Sequence, residues 1–244
     1  ALLLALAAGL VGAVGWTSGP AEESAVPSAA AFIDDDSLRA AQERAQVDSL
    51  LAPYAGFEAP AGLSEAAAAA WADATLAGMS LEQRVAQLFI VELGAVRDPD
   101  GLARMGIGGF HVNRRTPPQE VRAVVARLGR RAEVPLFVTA DYEWGVGTAR
   151  SNFTELPGAM AYGAADSEAL AEVGGAVTAL EARATGVNVL FAPVADVNNN
   201  PANPIINTRS FGEDPQRVGE LAAAYVRGAQ AHGGEMLIGA RRAS

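Results

Sequence analysis

Four continuous apolar runs of strand length, separated by helical patterns, set the tightest limit on what this chain can fold into. They are Leu88-Phe89-Ile90-Val91, Gly106 to Val112, Val134 to Ala140, and Val187 to Val194. None alternates cleanly between polar and apolar residues, so they read as parallel strands covered by helices. The helical patterns are equally legible. Ser64-Glu65 opens an Ala-rich helix from Ala66 to Ala77 that Gly78 closes, and Ser80-Leu81-Glu82-Gln83 is a capping box. Thr116-Pro117-Pro118 starts a helix with Val121, Val124, Val125 and Leu128 on one face. A long helix is expected from about Ser167 to Thr185, with Gly186 just past its end, and Asp214-Pro215 opens another through Gln230. Periodicity leaves two architectures open, a doubly wound sheet and a closed (β/α)8 barrel. Both gather ligands at the C-terminal ends of strands, and polar clusters follow the third and fourth runs.

Composition removes several classes of function. The 244 residues carry 18 Lys+Arg against 28 Asp+Glu, a formal charge of −10, which excludes a nucleic-acid partner that needs clustered cations. There is no cysteine, hence no disulfide framework, thiolate nucleophile or cysteine-ligated zinc. Half the chain is apolar and the mean hydropathy is +0.15, so it is not a disordered acidic protein. Residues 1–15 form an uncharged apolar run, shorter than the ~20 residues of a spanning helix and followed by small residues. Residues 1–18 therefore read as an export signal, with periplasmic or extracellular localisation expected; a buried helix is the competing reading. The absent Met and basic n-region are expected of a chain that begins inside a longer gene product. Residues 19–62, rich in Ala, Pro, Ser and acid, read as a tether with a short helix from Asp34 towards Leu51. The folded part is expected over 63–244.

Two clusters can carry chemistry. Asp141-Tyr142-Glu143-Trp144-Gly145-Val146-Gly147 directly follows the third run. A carboxylate beside aromatic rings at a strand's end suits a sugar; a helix-capping turn with Trp144 filling the core suits the same residues. The second cluster, Pro193 to Pro215, is dense in Asn and Asp, which commonly form turns. It lacks the EF-hand glycine and terminal glutamate. Within it Arg209 either pairs with Glu213 or reaches a ligand hydroxyl, the pairing being favoured on the residues alone. His111 and His232 have no neighbours at metal-ligand spacing and read as structural. No nucleophile elbow, dinucleotide fingerprint or Walker lysine is present.

Taken in order from about Trp71 to Gln230, these segments resemble the N-terminal domain of family-3 glycoside hydrolases. The resemblance rests on Met79-Ser80-Leu81-Glu82-Gln83-Arg84-Val85-Ala86-Gln87-Leu88, Gly106-Ile107-Gly108-Gly109, the Asp141-Tyr142-Glu143-Trp144-Gly145 turn, and Thr208-Arg209-Ser210-Phe211-Gly212-Glu213-Asp214-Pro215. The Asp-x-Glu-x-Gly turn is similar to the β-N-acetylhexosaminidase branch, whereas the β-glucosidase branch usually carries Asp-x-x-His-Gly and Arg-Trp-Gly-Arg. The resemblance implies an α/β fold, a partial TIM (β/α)8-type barrel of about four βα units. It implies hydrolysis of terminal β-linked N-acetylglucosamine with retention; β-glucoside hydrolysis and sugar binding without catalysis are the alternatives. Retention ordinarily uses two carboxyl groups about 5–5.5 Å apart, and the resemblance to this branch implies that a loop histidine replaces one of them. No metal or organic cofactor is implied.

By the same resemblance Asp141 binds sugar hydroxyls, Arg209 holds the sugar or the loop beneath it, and Arg150 is a weaker third substrate-binding residue. The family continues into a fifth strand and a Lys-His-Phe-Pro-Gly-His-Gly segment. Here Gly233 to Ser244 reads differently, so a truncated barrel with an unrelated tail is expected, without the histidine acid/base or the nucleophilic Asp. The resemblance thus assigns no catalytic residue within these 244.

Overall fold

In the computed structural model, backbone hydrogen bonding gives eight α-helices, three short 3-10 turns and five strands over the described residues, which are 35–55, 64–113, 116–147, 152–233 and 237–239. The expected export signal, most of the tether and Arg150 lie outside them. Two compact units are distinguished, 1–39 and 40–244, the first described only by the opening turn of a helix. The helices are α1 (Asp35–Leu51), α2 (Glu65–Gly78), α3 (Leu81–Ala86), α4 (Pro99–Met105), α5 (Pro118–Gly129), α6 (Ala159–Ala165), α7 (Glu168–Thr185) and α8 (Pro215–Gly233). The strands are β1 (Ile90–Glu92), β2 (Gly109–Val112), β3 (Phe137–Ala140), β4 (Val189–Leu190) and β5 (Leu237–Ile238). Among the described residues no helix is long and apolar enough to cross a membrane.

The sheet runs β1-β2-β3-β4-β5, and every neighbouring pair is parallel. A doubly wound sheet reverses its strand order at a switch point; this one does not. Its helices also collect on one face. Phe110, Val112, Val138, Ala140 and Leu190 pack there against Ala103 of α4, Val121 and Leu128 of α5, Ala179 and Ala182 of α7, and Ala229 of α8. Both features are those of a barrel wall, which resolves the choice that periodicity leaves open. The opposite face carries two side-chain rows set by the register: Ile90, Gly109 and Phe137, then Glu92, His111, Thr139 and Val189. Ile90 and Phe137 are both more than two-fifths exposed there.

The strands are shorter than the apolar runs, for identifiable reasons. Pro135 has no N–H to give, and the β3 ladder begins with the Phe137 N–H donating to the Gly108 carbonyl at 2.9 Å. At β4 the Asn188 side chain does the work of backbone: its Oδ1 accepts from the Val138 N–H at 2.8 Å and its Nδ2 donates to the Leu136 carbonyl at 2.9 Å. Gly106 belongs to no strand. It ends α4 in the left-handed region at φ 87, while Asp98 caps that helix's start through the Gly101 N–H. The α4 helix was signalled by the same Asp-Pro pair that opens α8.

Expectations for the two ends need revision. Leu237-Ile238 pairs with Val189-Leu190 as a fifth strand, so at these residues the sheet continues where an unrelated tail was expected. The short helix of the tether is docked. Val47 is buried against Val173 and Val177 of α7, with Leu51, Tyr54 and Leu156 alongside.

Candidate sugar-binding site

The first candidate segment leaves β3 at Asp141, and its conformation follows from what each residue can bury. Tyr142 and Val146 enter the main core, while Asp141, Glu143 and Trp144 lie outside it and are less completely buried as residues. Burial pushes the Tyr142 phenol above its ordinary range, partly offset by a hydrogen bond with Thr185. Gly145 sits at φ +76, where a side chain would meet the Thr154 carbonyl, so this position requires glycine. Segment 152–156 braces the turn: the Gly147 N–H donates to the Thr154 carbonyl at 2.9 Å and the Leu156 N–H to the Trp144 carbonyl at 2.8 Å.

The second segment leaves β4 and returns through a 3-10 turn, Asn207–Arg209. Ser210 fastens it, donating through its buried hydroxyl to the Asp196 carbonyl at 2.6 Å, while the Asn198 N–H donates to the Gly212 carbonyl. Phe211 anchors the far side in a cluster with Tyr162, Val218, Leu221 and Tyr225.

The two segments meet in one ion pair. Arg209 Nε donates to Glu143 Oε2 and Arg209 Nη2 to Glu143 Oε1, both at 2.7 Å, in the two-pronged geometry that suits guanidinium and carboxylate. Arg209 Nη1 donates to the Ile205 carbonyl at 3.1 Å. The Glu143 side chain is 7% exposed and that of Arg209 21%. The hydrogen bonds to Glu143 raise the Arg209 pKa most, burial opposes them, and the fields of Glu143, Asp141 and Asp196 add to the rise. The expected partner Glu213 is therefore replaced by Glu143. Asp141 and Arg209 do come together, with Asp196 as a third acidic neighbour.

A further pair lies on the open face of the sheet. His111 Nδ1 and Thr139 Oγ1 are 2.8 Å apart, and the His111 ring stacks on Phe191 at 6.0 Å and 17°. Sequence reading gave His111 no partner and passed over Glu143, Asp196 and Phe191 individually. The available signal was positional: β2 and β3 put His111 and Thr139 in register, and each polar loop begins where its strand ends. Carboxylates, an oriented guanidinium and a ring face are the groups that hold a polyhydroxylated ring. Among the described residues no group of three or more His, Asp or Glu is placed to hold a metal ion.

A sequence model of the glycosyl hydrolase family 3 N terminal domain matches residues 80–239. The chain belongs to that family. Its family-3 match runs through β5, in agreement with the five-stranded sheet. The chain is 35% identical over 168 residues to a "Beta-N-acetylglucosaminidase/beta-glucosidase" of Cellulomonas fimi, an alignment covering 67% of this chain and 29% of that protein. Among solved structures it is similar to a glycoside hydrolase family 3 beta-N-acetylglucosaminidase from Paenibacillus sp. str. FPU-7. That match has a TM-score of 0.58 and 36% identity, and covers 64% of this chain and 32% of the other. It is also similar to a "Beta-glucoside phosphorylase BglX", with TM-score 0.60, 29% identity, 76% of this chain and 32% of the other. The chain thus spans about a third of the length of each of these three relatives.

Proposed function

We propose that this family-3 domain holds the non-reducing sugar of a terminal β-linked N-acetylglucosaminide, in a protein that hydrolyses such glycosides with retention. The observation that carries the reading is the Glu143–Arg209 pair beside Asp141 where β3 and β4 give way to loops. Asp141 accepts hydrogen bonds from sugar hydroxyls, and Arg209 acts through Glu143 to keep the turn beneath the sugar in place. Arg150 is the weaker third contact. The Asp-x-Glu-x-Gly turn and the Cellulomonas and Paenibacillus relatives support the aminosugar. The phosphorylase neighbour and the double name of the Cellulomonas protein favour a β-glucoside as the second reading. A polypeptide of these 244 residues is expected to bind sugar without turnover, because no residue in it is assigned as nucleophile or acid/base. The apolar run at residues 1–15 supports export, to be checked by fractionating cells that express a tagged chain.

Calorimetric titration tests the binding reading. N-acetylglucosamine is expected to bind at least ~10-fold more tightly than glucose, and Asp141→Asn to weaken it by ~10-fold or more, as for loss of a charged hydrogen bond. Preference for glucose would establish the second reading, and equal indifference to both sugars would refute the site. Release of nitrophenol from an aryl N-acetylglucosaminide at a rate typical of intact glycosidases would overturn the absence of turnover.

A further inference from the structure

The α7 helix buries one carboxylate that the site does not use. Glu181 is 9% exposed, and its oxygens collect donors from two distant segments. The Thr154 N–H donates to Oε2 at 2.9 Å and to Oε1 at 3.1 Å, and the Thr154 hydroxyl to Oε1 at 2.8 Å. The Tyr54 hydroxyl, which follows α1, also donates to Oε1 at 2.9 Å and lies 3.3 Å from Thr154 Oγ1. Burial raises the Tyr54 pKa, the Thr154 hydrogen bond opposes this, and Glu181 raises it further, so the phenol keeps the proton it donates.

Thr154 is also the residue whose carbonyl receives the Gly147 N–H, two residues from the Leu156 N–H that holds Trp144. Glu143, Arg209's partner, is the next residue back along the turn. Hydrogen bonds and the short stretches of backbone between them therefore link Tyr54 and Glu181 to Thr154, to the turn, and through it to the Glu143–Arg209 pair. Glu181 lies inside the stretch matched by the family and Tyr54 lies outside it.

We propose that Glu181 is a positioning residue for the sugar-holding turn, and that Tyr54 makes the segment preceding the family domain part of the same device. Its effect on sugar rests on the function proposed above; its effect on the turn does not. A buried carboxylate is suited to the task because it accepts the Thr154 amide and hydroxyl together. Glutamine in its place offers one oxygen and sets an NH2 group against donors. Small displacements of a turn that orients ligand groups are costly, so the consequence is felt at the site rather than only in global stability.

The test uses the whole chain with Trp16 and Trp71 replaced by Phe, which leaves Trp144 as its one indole. The Trp144 indole N–H resonance and the N-acetylglucosamine affinity are measured for this background and for Tyr54→Phe, Glu181→Gln and Glu181→Asp. Glu181→Gln is expected to shift or broaden the resonance and weaken sugar binding about 10-fold; Tyr54→Phe gives a smaller change of the same kind. Glu181→Asp is expected to restore part of both, since it keeps two acceptor oxygens. An unchanged Trp144 resonance in folded Tyr54→Phe and Glu181→Gln proteins, whatever their melting temperatures, would overturn the proposal. Where the background binds no sugar, the function proposed above fails while the resonance alone still decides the positioning role. Where Glu181→Gln does not fold, Tyr54→Phe decides it.

Discussion

Glu143 and Arg209 stand 66 residues apart in the chain and hold two loops together through a pair of 2.7 Å hydrogen bonds. Removing one partner leaves the other charge in a site that excludes most water, at a cost of about 3 kcal/mol or more. Glu143→Ala and Arg209→Ala are each expected to lose about that much in urea unfolding at neutral pH. The double variant should lose clearly less than their sum, because the uncompensated charge is gone. Additive losses would show that the two side chains act independently. A contrasting case is Tyr162, whose hydroxyl is buried with no hydrogen-bond partner among the described residues. Tyr162→Phe is expected to stabilise the protein by about 1 kcal/mol, read as a rise in the urea midpoint at constant slope. At this scale the sequence was half legible. Asp141 and Arg209 stood out because each sits in a motif, but the partner of Arg209 did not. Glu213 is near in sequence and Glu143 is near in space, and only the parallel arrangement of β3 and β4 brings the latter close.

Helix limits follow local chemistry, so the elements were easier to read than their contacts. Ser80 and Gln83 make both hydrogen bonds of the expected capping box, and Gly186 ends α7 at φ 88. Strand limits were harder, because an apolar run does not say where hydrogen bonding to a neighbour begins; Pro135 and Asn188 decide that. The α7–α8 contact was not legible from the patterns either. It depends on absent side chains: a Cβ on Gly175 would collide with the Tyr225 carbonyl, and one on Gly228 with the Glu172 carbonyl. Because both obstacles are backbone, the helices must separate to admit a methyl group. Gly175→Ala and Gly228→Ala are each expected to destabilise by about 1–3 kcal/mol, despite alanine's better helix propensity. Thermal unfolding checks the direction; a rise in melting temperature for either would contradict the close approach.

For the molecule as a whole, alkaline stability has a fixed sign. Burial is the first cause that raises the pKa values of Tyr142, Tyr162 and Tyr225, taking Tyr162 to about 12. Above the ordinary value of 10.0 the unfolded chain releases these protons while the folded chain keeps them. Stability is therefore constant in this respect below pH 10 and falls as pH rises through the folded values. Urea midpoints measured from pH 8 upward should show the fall beginning near pH 10, and a smaller one for Tyr162→Phe. The surface has an equally definite consequence. Leu81, Val85, Phe89 and Met105 are exposed around an apolar groove of about 560 Å³ between α3, β1 and α4. Patches of this kind promote association, so a polypeptide of these 244 residues is expected to self-associate with rising concentration. Met105→Lys with Phe89→Lys should reduce that association in light scattering while leaving the circular dichroism unchanged.

The docking of Val47 and Tyr54 on α7 bears on how the gene is cut for recombinant work. A boundary drawn at residue 80, where the family match starts, would remove Val47 and Leu51 of α1 from Val173 and Val177 and open that cluster to solvent. Expression beginning near Asp35 keeps that seam closed.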